Sequence, residues 1–209
     1  VATPLQVSTP VNGVPPNIVT TANKPMMMLA TSKDHTLFGP IYTDFEDIDE
    51  DGVIDTTFKP DFKYYGYFDA TKCYSYDNSR FEPAAIATLT TDKRYTCPSA
   101  QSWWSGNFLN WATMTRLDVI RKMLYGGKRS TDTNVTAANQ SGTILERANL
   151  SKDSHSFVKY YRGTDIRDYT PFTTAALTKT IDKQDTYAGL SICNRSDVMN
   201  EGGNPVIRM

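Results

Sequence analysis

Nothing constrains this chain more than the run Asp47-Ile48-Asp49-Glu50-Asp51-Gly52-Val53-Ile54-Asp55, where carboxylates at alternate positions stand beside a single glycine. The spacing fits the start of a calcium loop, in which alternate acids converge on one point only if the chain turns sharply. Gly52 permits that turn, Val53 would offer its carbonyl, Asp55 falls at the ninth position, and Ile54 would point inward as an apolar anchor. The twelfth position holds Phe58 where a bidentate glutamate would close such a loop, so the last ligand must come from Asp61, Asp44 or Glu46. Eight of the 23 acidic residues fall between Asp44 and Asp61, with Lys59 the lone cation among them. Like charges so close repel, and a divalent ion relieves the repulsion. Calcium is therefore the expected cofactor, at Asp47, Asp49, Asp51, the Val53 carbonyl and Asp55. Its expected role is structural, because nothing near the loop supplies an open coordination position beside a general base.

Around this loop the chain reads as short β elements with one helix. Residues 1–24 carry four prolines and one charge, which predicts an extended arm able to pair with a sheet edge, or a plain leader. Residues 25–209 then form one domain, whose first core strand is expected in Pro25–Ser32. The aromatic runs Lys63–Phe68 and Cys73–Tyr76 predict a hairpin closed near Asp69–Lys72. Within Ser99–Tyr125, Leu117, Ile120, Met123 and Leu124 recur at helical spacing as a core face. Thr113 or Thr115 is the candidate cap of that helix, and Gly126-Gly127 its stop. Further strands are expected in Thr143–Leu150, Ser156–Arg162 and Tyr187–Cys193.

Several function classes drop out on composition and motifs. Lys+Arg 22 against Asp+Glu 23 leaves no basic field for nucleic acid. No apolar run approaches the ~20 residues of a membrane span. Only His35 and His155 offer imidazole, with no G-x-S-x-G elbow, so no catalytic residue is assigned and a non-enzymatic chain is expected. Cys73, Cys97 and Cys193 form no C-x-x-C pair. They read as one disulfide and a spare thiol, or as three buried thiols. The favoured bridge is Cys73–Cys97, which flanks one segment without a helix, leaving Cys193 free or intermolecular.

The stretches KPMMMLATSKDHTLFGPIYTDFEDIDEDGVIDTTFKPDFKYYGYFD, CYSY, SGNFLNWATMTRLDVIRKMLYGGKRSTDT, TILERANL and NPVIRM resemble the N-terminal region of the PilC/PilY family of type IV pilus assembly and tip-associated adhesins. The resemblance runs over most of residues 24–209. It implies an α+β or α/β fold with a partial von Willebrand factor A-like core, a β-rich insertion carrying the calcium loop, and the extended arm. In A-like domains a buried strand, here Met26–Leu29, ends in a D-x-S-x-S metal loop, and the next helix resembles Thr115–Lys122. In this chain Ala30-Thr31-Ser32-Lys33-Asp34 stands at the metal loop, without its first aspartate. The resemblance further implies a module outside the cell, on the pilus, that binds minor pilin subunits or identical subunits and a host or surface receptor. The alternative is a filament subunit polymerising by strand addition of residues 1–24.

Overall fold

Helix α1 (Gly106–Thr113) is buried along its whole length, so Asn107 and Asn110 must find their hydrogen-bond partners inside the protein. They find them in the backbone of residues 62–68. Asn107 Oδ1 accepts from the Tyr64 N–H and its amide donates to the Phe62 carbonyl, both at 2.8 Å. Asn110 donates to the carbonyls of Tyr64 (3.0 Å) and Phe68 (2.9 Å), and its Oδ1 accepts from the Phe68 N–H at 3.0 Å. The Tyr67 N–H donates to Met114 Sδ. A Cβ on Gly66 would lie 2.3 Å from Asn110 Oδ1, so only glycine lets the chain pass this close. The α1 carbonyls of Ala112 and Thr113 accept from Asn194 and Arg147, which satisfies a helix end that has no glycine stop.

The structure, a computed structural model, describes residues 34–133, 142–150, 155–197 and 205–209, together with Met28 and Ala30. The chain divides into a unit Val1–Lys33 and a unit Asp34–Met209. The arm at residues 1–24 lies outside the described residues. Of the expected strand Pro25–Ser32, Met28 and Ala30 belong to no strand and are exposed, Met28 to 92%, so at these two positions there is no buried strand.

The second unit is a mixed α/β body of small sheets. Strands β1 (Lys72–Asp77) and β2 (Arg80–Ile86) form a hairpin, β3 (Thr88–Leu89) pairs with β4 (Tyr95–Thr96), and β5 (Trp103–Ser105) joins β1 before leading into α1. After α2 (Arg116–Tyr125) come β6 (Arg129–Asp132) and its partner β7 (Thr143–Leu145), then β8 (Phe157–Tyr161). The hairpin of β9 (Thr178–Ile181) and β10 (Gln184–Tyr187) follows. Strand β11 (Leu190–Ser196) is flanked by β8 and β12 (Pro205–Arg208). Every pairing among the described residues is antiparallel.

Several boundaries differ from expectation for identifiable reasons. Residues 63–68 form no strand, because asparagine side chains and the Tyr42 hydroxyl, rather than a neighbouring strand, take their backbone groups. The hairpin instead turns at Asn78-Ser79, whose φ of 48° and 60° suit a tight turn between right-twisted strands. The expected single helix is two: Thr113 closes α1, and Thr115 caps α2 in a reciprocal pair with Asp118. Gly126, at φ 87°, ends α2 as expected. The residues α2 buries are Asp118 and Val119; of the expected stripe Leu117 and Ile120 are half-buried, whereas Met123 is 71% exposed and Leu124 49%, so the stripe faces the core only in the first half of the helix. That inward face is set by Asp118, whose Oδ1 accepts from the Ala148 N–H at 2.7 Å. Strand β7 stops at Leu145 because Ala148 and Leu150 give their N–H groups to Asp118 and Ser196 side chains. Tyr187–Cys193 is broken at Gly189, φ 83°, into β10 and β11.

Aromatic side chains fill the space between these elements. Phe58, 3% exposed, lies 5.1–5.8 Å from the rings of Tyr64, Phe108, Trp111, Tyr161 and Tyr169. Cys73 in β1 is bonded to Cys97 beside Ala87, Tyr95 and Trp103, while Cys193 is free and half-buried. Phe58→Ala would remove the ring on which five aromatic neighbours converge, and should cost about 3–5 kcal/mol. Urea denaturation of the variant measures it; a loss under about 1 kcal/mol would mean that the cluster does not depend on Phe58.

Candidate metal-binding loop

The acidic run folds back on itself through its own carboxylates. Asp47 accepts from the Asp51 N–H (3.0 Å) and the Gly52 N–H (2.7 Å), Asp51 from the Val53 N–H (2.8 Å), and Asp55 from the Ile48 N–H (2.9 Å). Glu50 and Gly52, at φ 61° and 87°, make the left-handed turns, and a Glu46–Asp55 bridge closes the base. The result brings one carboxylate oxygen from each of Asp47, Asp49 and Asp55 within 4.8 Å of one another. Oxygens about 2.3–2.6 Å from a shared ion can stand that far apart, so the hard-oxygen donor set fits calcium.

A cation already stands among these oxygens. Lys59 Nζ contacts Asp49, and lies 3.0 Å from Asp51 and 3.1 Å from Asp55. The Asp49 carboxylate, helped by Asp51 and Asp55 and opposed by desolvation, holds this amine well above the usual lysine range. Conversely, Lys59 and the Val53 N–H hold Asp51 below the ordinary carboxylate range.

Of the expected ligands, Asp47, Asp49 and Asp55 are brought together; Asp51 is exposed and turned to Lys59 and the Val53 N–H. Ile54 is 60% exposed and Val53 65%, so Ile54 is no inward anchor. That part falls to Phe58, at the twelfth position, which ties the loop to the aromatic core. Among the closing candidates, Asp44 is committed elsewhere: its oxygens accept from Trp111 Nε1 and Lys159 Nζ, each at 2.8 Å. Asp61 and Glu46 are exposed, and neither stands in the converging group. Lys159 has a side chain only 3% exposed, sits 5.1 Å from the Trp111 ring centre and also donates to the Tyr42 carbonyl. Burial pushes its amine below the usual range, with Asp44 opposing. The sequence signals Lys59 by its place four residues after Asp55; nothing local signals Trp111 or Lys159, 67 and 115 residues from Asp44.

The profile of a family described as "PilY1 homolog, small alpha/beta domain" matches residues 55–209, more than half of the chain. Two proteins of Xylella fastidiosa, each described as a "Type IV pilus biogenesis factor PilY1 homolog", are similar to it. One is 39% identical over 150 residues, 69% of this chain and 9% of the relative; the other is 39% identical over 102 residues, 46% and 8%. The chain thus spans less than a tenth of the length of these relatives. No solved structure matches it significantly.

In metal-free buffer Lys59→Gln should lower the melting temperature, because the acids lose their internal counter-ion. The loss should shrink as sodium chloride approaches ~1 M, where the Debye length is about 3 Å. A melting temperature unchanged at low salt would show that Lys59 does not hold the loop.

Proposed function

We propose a calcium-stabilised, pilus-associated role outside the cell for this chain, which belongs to the PilY1 homolog family. The pilus part rests on the relatives, which are described as type IV pilus biogenesis factors. No helix among the described residues is long and apolar enough to cross a membrane, and the Cys73–Cys97 bond accords with an oxidising compartment. In this reading the chain is an adhesin or assembly module with pilus subunits or a surface receptor as partners, and it performs no catalysis.

The calcium part is carried by one observation, the convergence of Asp47, Asp49 and Asp55. Those residues would hold the ion, with Asp51 able to join once Lys59 withdraws, and Asp61 or Glu46 as the outside carboxylate that closes the site. The ion would neutralise the run as Lys59 does now, with twice the charge on one centre. Because the ion and the ammonium compete for the same oxygens, binding requires Lys59 to leave.

Titration calorimetry on chelator-stripped protein should show roughly one site per chain. Calcium at about 100 times its dissociation constant should add about 2.7 kcal/mol of stability. Asp47→Asn/Asp49→Asn should abolish both effects, and Lys59→Gln should tighten binding. No heat and no thermal shift at millimolar calcium, in wild type and Lys59→Gln alike, would overturn the calcium reading.

A further inference from the structure

Two exposed patches on the Asp34–Met209 unit have apolar centres and opposite charge. Toward the end of α2, Met123 (71% exposed), Leu124 (49%) and Tyr125 (54%) follow one another in the open. Between Arg116 and Arg129 the chain carries five basic residues and a single acid, Asp118, which is fully buried; Lys128 pairs with Glu146 and Arg129 with Asp132, so Arg116, Arg121 and Lys122 carry the positive excess of this patch. The second patch lies on the acidic loop, where Phe45 (80%), Val53 (65%) and Ile54 (60%) are exposed among the acids of Asp44–Asp61. Scattered exposed hydrophobics need no explanation, but clustered ones rimmed by charge mark contact surfaces.

We propose that these patches are the two halves of one head-to-tail interface, so that the basic end of α2 in one copy docks on the acidic loop of a second copy. The argument for this occupant is charge complementarity, since the surface that matches each patch in sign and apolar content is carried by the same chain. Residues of the α2 patch cannot match themselves across a two-fold axis, because like charges would face each other. The interface is therefore heterologous and can extend beyond a dimer. Its charged rim makes association sensitive to salt, while the apolar centres supply the contact area.

The test uses the full chain in EDTA, which keeps the loop free of calcium and separates this inference from the metal reading. Sedimentation of wild type should show mass rising with concentration, and weakening by at least about tenfold from low to high salt. Met123→Ser/Leu124→Ser removes one half and Val53→Ser/Ile54→Ser the other. Each variant alone should sediment as a monomer, and an equimolar mixture should give a one-to-one dimer that grows no further. Arg121→Glu and Glu50→Lys give the same test by charge if either double variant melts early: each should weaken self-association and their mixture should recover it. Wild type that stays monomeric at every concentration, variant mixtures that stay monomeric, or wild type that binds anionic vesicles without self-associating would each overturn the proposal.

Discussion

Two asparagine side chains on α1 carry more of this architecture than any sheet does. An irregular backbone segment buried against a helix would leave N–H and C=O groups without water or strand partners, each at a cost of about 1–3 kcal/mol. Asn107 and Asn110, one helical turn apart, meet that demand at Phe62, Tyr64 and Phe68 with five hydrogen bonds. This lets residues 62–68 lie against α1 without forming a strand, and puts Tyr64 beside Phe58 and Tyr42. The same helix gives its last carbonyls to Asn194 and Arg147, so β11 and the segment after β7 are fixed to it as well. Helix α1 is thus the hub to which three separate stretches of chain report.

The acidic loop is attached to that hub at both ends. Phe58 inserts at its C-terminal side, and Asp44 at its N-terminal side bonds Trp111, the next turn of the face that carries Asn107. Lys159 from β8 completes the attachment by pairing with Asp44 against the Trp111 ring. A loop rich in like charge is thereby held on a rigid platform, with Lys59 supplying the internal counter-ion. Any cation that replaces Lys59 acts on a frame whose ends are already fixed, which favours a local response.

Local signals in the sequence proved the readable ones. The Gly126 stop, the Thr115 cap, β8 and the turn of the acidic run all depend on residues within a few positions of one another. The half-read features depend on distant partners. The aromatic run Lys63–Phe68 has the composition of a strand, and the asparagines more than 40 positions later, with the Tyr42 hydroxyl on Tyr65, explain why it is not one. The alternation of acids marks Asp47, Asp49 and Asp55, but the twelfth position looks like a defect until Phe58 is seen among five aromatic rings. The apolar spacing in α2 is real, yet it faces the core only in the first half of the helix, where Asp118, bonded to Ala148, is buried. The resemblance in the FLNW and RLDV blocks marked the family, and Asn110, Trp111 and Asp118 lie within them, whereas Asn107, Arg147 and Asn194 do not.

Amide hydrogen exchange at Tyr64 and Phe68 tests the central claim most directly. Neither residue belongs to a helix or strand, so a conventional loop would exchange them within seconds to minutes. If Asn107 and Asn110 hold this segment, the Tyr64 and Phe68 amides should exchange as slowly as the interior amides of α1, opening only with global unfolding. Exchange at these two amides as fast as in the exposed Asn78-Ser79 turn, with α1 still protected, would contradict the account.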